Sequence, residues 1–221
     1  MKRIFDLTIA VLVIVCVLSW LLPILAFLVI WDSEGPVFFV QKRVGRYSRL
    51  FSCYKLRTMV VNEQADRRPA RGDDARITRL GSWLRRSHVD ELPQFFNVLL
   101  GSMSIVGPRP YMPADCRRFA TMVPDDSVRY LVRPGITGLA QARGLHDVFC
   151  DREVIQQRYQ CDAYYVANAG VRLDLYILAR TVVRIPYACC SWLCFHQFGR
   201  MIHDPRLRIF DAQGRRKGSC D

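Results

Sequence analysis

Asp90 and Glu91 stand side by side in R-R-S-H-V-D-E-L-P-Q, Arg85 to Gln94. Arg85, Arg86 and His88 precede them, and Arg109 follows, held between Pro108 and Pro110. Two neighbouring carboxylates among arginines suit phosphate chemistry: a carboxylate can attack phosphorus or hold a divalent metal, while guanidiniums bind phosphoryl oxygens through paired hydrogen bonds. A structural reading of the same residues stays open. Asp90 could cap a helix running from Glu91 to Leu100, with Pro93 in its first turn and Gly101 ending it. The two readings are compatible, because a helix N-terminus also favours a bound phosphate.

Further cations punctuate the chain. Lys55 and Arg57 lie in K-L-R-T-M and are candidates for phosphate contact or for plain solvation. Arg133 precedes Pro134-Gly135 on a turn, and Gly135 and Gly138 would let the backbone approach a ligand. The net charge is +12, and all but four of the 32 basic residues are arginines. Such a balance asks for an anionic partner: nucleic acid, an anionic membrane surface or a phosphorylated substrate.

The elements that must position these groups can be read from apolar patterning. Leu7 to Trp31 carries no charge and is long enough to cross a bilayer. It is too long for a cleaved signal segment. Basic residues flank it on both sides, Lys2 and Arg3 before and Lys42, Arg43, Arg46 and Arg49 after, so the positive-inside rule places both ends in the cytoplasm. Pro23 removes a hydrogen bond near the middle. The expectation is a re-entrant helix-break-helix hairpin dipping into one leaflet, broken at Pro23, with the Ser19 hydroxyl helping to satisfy the break.

Pro36 to Gln41 and Arg49 to Lys55 are expected to pair as a β-hairpin. Val61 to Asp74 reads as a loop that could cover a site. Ile77, Leu80, Trp83 and Leu84 repeat at helical spacing. Helices are also expected over Glu153 to Val166, carrying Asp162, and Leu173 to Arg184, opening near Asp174; those acids read first as caps or dipole partners. The nine cysteines form no C-x-x-C pair and read as reduced thiols. Cys189, Cys190, Cys194 and His196 match no standard zinc spacing. The expected organisation is an anchor over residues 1–32, a catalytic domain over 33–184 and a cysteine-rich extension over 185–221.

Taken together, the motifs resemble the bacterial sugar transferase family, small monotopic phosphoglycosyl transferases that begin glycan assembly on a polyprenyl phosphate. The resemblance covers Lys2 to Arg184. It rests on K-R-I-F-D (Lys2 to Asp6), S-E-G-P-V-F-F-V-Q-K-R-V-G (Ser33 to Gly45), K-L-R-T-M (Lys55 to Met59) and R-I-T-R-L-G (Arg76 to Gly81). D-E-L-P-Q (Asp90 to Gln94), V-G-P-R-P (Val106 to Pro110), R-P-G-I-T-G-L-A-Q (Arg133 to Gln141), Asp162-x-Tyr164 and Leu173-Asp174 complete it. The sequence departs from the family pattern at Leu22, Ser48 and Ser102, and after Gln141.

The resemblance implies a predominantly helical α+β fold on a re-entrant membrane helix at the cytoplasmic face of the bacterial inner membrane. It further implies Mg²⁺ at Asp90 and Glu91. Asp90 would attack the sugar-linked phosphate of a UDP-sugar, expel UMP and form a covalent phosphosugar that polyprenyl (undecaprenyl) phosphate captures. Glu91 would assist, Arg109 with Lys55, Arg57, Arg85 and Arg133 would offset phosphate charge, and Asp162 and Asp174 would support the site. A homo-oligomer is compatible with this reading. Two other classes compete. A membrane-tethered nucleic-acid binder lacks any helix-turn-helix, zinc-finger or RNA-binding signature. A non-catalytic membrane scaffold is opposed by the acid pair in its arginine setting, and activity separates the two.

Overall fold

A computed structural model describes residues 1–61, 74–123, 127–145 and 152–190, with side chains to Val183. The apolar N-terminal segment is helical from Lys2 to Asp32 and is long and apolar enough to cross a membrane. It comprises α1 (Lys2–Val13), a π turn (Ile14–Leu18) and α2 (Ser19–Asp32). The expected non-helical break at Pro23 is absent, and the π turn is where the segment departs from α-helical bonding. It widens the hydrogen-bond ladder one turn ahead of the proline, with the Ser19 amide donating to the Ile14 carbonyl. Side chains add donors there: Ser19 Oγ bonds the Val15 carbonyl at 2.6 Å, and Trp20 Nε1 bonds the Cys16 carbonyl at 2.9 Å.

One side of this helix packs on the rest of the protein through Asp6, Ala10, Leu18, Leu25 and Val29, while Val11, Leu12, Val15, Trp20, Ile24, Phe27 and Trp31 are exposed. Both of its ends are tied to the same body. Arg3 donates to the Val98 carbonyl at 2.8 Å, and Arg57 donates to the carbonyls of Val29 and Ser33. At the start of α1 a buried polar cluster replaces apolar packing. Asp6 accepts from Ser104 Oγ and the Ile105 amide, and Lys2 meets Asp174 at 2.6 Å. Tyr165 bonds both Asp174 and the Val106 carbonyl.

The hairpin forms as expected, its strands shifted slightly along the chain: β1 (Phe38–Val44) pairs antiparallel with β2 (Leu50–Leu56), Gln41 opposite Cys53. Tyr47 and Ser48 take positive φ at its tip. The helix predicted around Leu80 is α3 (Arg79–Arg86), whose Leu84 is fully buried against Leu25, Val29 and Leu56. Next come α4 (Gln94–Leu99), β3 (Ser104–Val106) and α5 (Pro113–Ala120). The chain continues through β4 (Gly135–Thr137), α6 (Leu139–Ala142), α7 (Arg152–Ala167) and α8 (Val171–Cys190).

β3 and β4 pair in parallel, Ser104 with Gly135 and Val106 with Thr137, a second small sheet that periodicity did not announce. Its glycines let backbone meet backbone. A Cβ on Gly135 would lie 2.1 Å from the Gly107 amide nitrogen, and one on Gly138 would lie 2.3 Å from the Gly107 carbonyl. The close approach expected of these glycines toward a ligand is therefore an approach to Gly107. The main core gathers around this pair, with Met103, Ile105, Val106, Leu139, Tyr165 and Ile177 buried together.

The loop predicted over Val61 to Asp74 falls on residues outside those described except at its two ends, where Asp74 pairs with Arg76 at 2.6 Å. Cys194 and His196 also lie outside, as do the side chains of Cys189 and Cys190.

Candidate active site

The acid pair is delivered by α3. Thr78 caps that helix, its Oγ1 accepting from the Gly81 amide at 2.9 Å. Gly81 is required because any Cβ there would sit 2.0 Å from the Thr58 carbonyl at the end of the hairpin. The helix closes at Ser87, His88 turns the chain with φ of 57°, and a 3₁₀ turn, Val89–Glu91, follows. Asp90 therefore caps nothing: α4 begins only at Gln94, with Pro93 at its cap position and no side-chain cap bond. Gly101, at φ of +84°, ends that helix region as predicted.

Asp90 and Glu91 are both buried, yet their environments differ. Glu91 Oε1 accepts from Lys55 Nζ at 2.6 Å and from Arg109 Nη2 at 2.9 Å, and Oε2 faces Arg109 Nη1 at 3.3 Å. Burial alone would raise its pKa, but the charges and hydrogen bonds of Arg109 and Lys55 outweigh burial and hold the carboxyl well below the ordinary glutamate range. Asp90 has no hydrogen-bond or ion-pair partner among the described residues. Burial pushes its pKa up and Glu91 adds to that, against the opposing charges of Lys55, Arg85 and His88. One carboxylate is thus clamped, and its neighbour is left to react or to bind.

The structure brings Lys55, Arg85 and Arg109 to this pair. Among the described residues Arg85 has a buried Nη1 without a hydrogen-bond partner, a donor suited to an anion beside Asp90. It takes Arg57 and Arg133 elsewhere. Arg57 is buried at the end of α2, and Arg133 Nε donates to the Gly101 carbonyl at 2.9 Å. Asp162 pairs with Arg129 at 3.2 Å, and Asp174 belongs to the polar cluster under α1. Asp162 is linked to the site through Arg129, which donates to the Arg109 carbonyl at 2.6 Å.

Sequence reasoning assigned no role at the site to Arg43, a half-buried cation near Glu91 and Arg109 whose Nη1 donates to the Pro110 carbonyl at 3.2 Å. It also passed over Arg129. Asp6 and Lys2 were visible in K-R-I-F-D as a pattern only. Among the described residues no group of three or more His, Cys, Asp and Glu is gathered for a metal. The donor set nonetheless fits Mg²⁺, which binds through one or two carboxylates completed by substrate phosphates, because Asp90 offers a carboxylate no cation occupies.

The family model described as bacterial sugar transferase matches residues 1–187. The chain belongs to the bacterial sugar transferase family. Among relatives, a UDP-glucose:undecaprenyl-phosphate glucose-1-phosphate transferase of Caulobacter vibrioides is 40% identical over 183 residues, covering 82% of this chain and 68% of that protein. An exopolysaccharide production protein of Rhizobium leguminosarum is 40% identical over 188 residues, 83% of this chain and 94% of the relative. A UDP-N-acetylgalactosamine-undecaprenyl-phosphate N-acetylgalactosaminephosphotransferase of Aeromonas hydrophila is 40% identical over 182 residues, 82% of this chain but only 42% of that protein. The chain thus spans less than half the length of several curated relatives it matches. For this member of the family, the acid pair, Lys55 and Arg109 form the assembled centre.

Proposed function

We propose that the chain transfers a sugar-1-phosphate from a UDP-sugar to polyprenyl phosphate with release of UMP, an early membrane step of glycan assembly. The carrying observation is the unequal acid pair, with Glu91 clamped by Lys55 and Arg109 and Asp90 without a partner among the described residues. In this reading an Asp90 carboxylate oxygen attacks the sugar-bearing phosphorus. The new Asp90 O–P bond forms as the P–O bond to UMP breaks, leaving an aspartyl phosphosugar. An oxygen of polyprenyl phosphate then attacks the same phosphorus, and the Asp90 carboxylate is released.

Arg109 and Lys55 keep Glu91 ionised, while the Nη1 of Arg85, unpaired among the described residues, offers a donor to a phosphoryl oxygen. Mg²⁺ would be held through the Asp90 carboxylate, Glu91 being taken by Lys55 and Arg109, and would neutralise charge on the diphosphate and the departing UMP. Splitting the transfer in two lets one carboxylate serve a soluble and a lipid substrate in turn. The membrane reading belongs to the same proposal: the apolar helix lies in the cytoplasmic leaflet with both of its ends on the cytoplasmic side. It is supported by the attachment of both helix ends to one body and by basic residues on either side of the run.

The test omits the lipid. Wild type mixed with Mg²⁺ and a panel of UDP-sugars should release UMP and gain the mass of a phosphosugar on the Asp90 peptide. That adduct should disappear when polyprenyl phosphate is added and be absent in Asp90→Asn. UMP release only with both substrates present, and no adduct, would replace the covalent route by direct transfer.

A further inference from the structure

Arg109 reaches Glu91 from a peptide with little freedom of its own. Pro108 and Pro110 have fixed φ, which leaves the dihedrals of Arg109 itself to set where its guanidinium points. The Arg109 carbonyl is held from behind. Arg129 Nη2 donates to it at 2.6 Å, and the same guanidinium pairs with Asp162 at 3.2 Å and lies 4.4 Å over the Tyr111 ring. Arg129 and Asp162 are both buried, and they arrive from separate elements, Arg129 from the 3₁₀ turn Ser127–Leu131 and Asp162 from α7. Arg43 holds the next carbonyl, that of Pro110.

A buried ion pair contributes little net stability, since two apolar side chains of similar size would avoid its desolvation cost. What such apolar residues could not supply is a donor to the Arg109 carbonyl. We propose that Arg129, oriented by Asp162, is a positioning residue for the transfer, fixing the Arg109 backbone so that its guanidinium meets Glu91 at two points. The inference rests on the function proposed above. It gives Asp162 a role one step further back, as the group that orients Arg129.

The decisive variant replaces the pair rather than breaking it. Arg129→Met/Asp162→Leu keeps buried volume and removes the charges together, so its melting temperature should stay near that of wild type. Its kcat for UMP release should nevertheless fall about tenfold, the worth of one charge-assisted contact at Glu91, with KM for the UDP-sugar little changed. In an Arg109→Ala background the same double replacement should change kcat less than about twofold, since coupled residues are not additive. Wild-type kcat in the folded double variant, or a full multiplicative loss on top of Arg109→Ala, would overturn the proposal.

Should the double variant fail to fold, Arg129→Lys preserves the charge opposite Asp162 and is read in the same cycle with Arg109→Ala. If wild type releases no UMP from any UDP-sugar, the functional reading itself has failed. A structure of the variant then decides the positioning claim alone: Arg109 displaced from Glu91 supports it, and Arg109 unmoved refutes it.

Discussion

Arg109→Lys keeps a positive charge beside Glu91 but removes the fork. In the structure the fork has a strong arm, Nη2 to Oε1 at 2.9 Å, and a weaker one, Nη1 to Oε2 at 3.3 Å. A lysine amine can keep the first contact and has no second nitrogen for the other. A hydrogen bond to a charged group contributes about 1.5–3 kcal/mol, and the lower end applies because the Arg109 side chain is 30% exposed and partly screened. A loss of about 1.5 kcal/mol corresponds to roughly a tenfold drop in kcat/KM. Lys55 still holds Glu91 at 2.6 Å, so the fold should persist, with a melting temperature lower by about 3–6 °C. The assay is steady-state UMP release with saturating polyprenyl phosphate, beside Arg86→Lys as a control at an exposed position. Wild-type kcat/KM in Arg109→Lys would mean that the two-point contact with Glu91 plays no part in turnover.

Other expectations concern scaffold and membrane. Asp6→Asn leaves Ser104 Oγ and the Ile105 amide facing a neutral side chain in a buried site, and should cost about 1–3 kcal/mol, read as earlier thermal unfolding in detergent. Gly135→Ala drives a methyl into the Gly107 amide and should abolish folded yield, whereas Gly170→Ala, whose nearest neighbour would be 3.9 Å away, should be tolerated; equal yields would remove the β3–β4 contact from the argument. In a cysteine-free background, single cysteines placed beside Lys2 and beside Lys42 should both resist an impermeant thiol reagent applied to intact cells. Labelling beside Lys2 alone would show that the helix crosses the bilayer.

Elements with strong local periodicity were legible from the residues alone: the apolar N-terminal run, the hairpin around Gly45, and the α3 helix with Leu80 and Leu84 on its buried side. The pairing of β3 with β4 was not. Each strand is three residues long and they meet across some thirty residues of chain, so alternation has no room to show, and the glycines that allow the contact read equally well as a ligand loop. At the site, acid adjacency marked the pair, but nothing in a sequence says which of two neighbouring carboxylates a lysine 36 residues away will clamp. Arginines were the least legible. Arg57 and Arg133 sit in the same kind of motif as Arg109, yet a guanidinium satisfies the carbonyls at a helix end as readily as it satisfies an anion, and these two do the former.

The bonds made by Arg57 have a mechanical side. Lys55, at the end of β2, grips Glu91, and two residues later Arg57 grips the last turn of the apolar helix. An extended chain spans only about 7 Å over two residues. That short stretch acts as a strut, so the end of the apolar helix and the acid pair are held at a short, fixed span by neighbouring residues of one strand end.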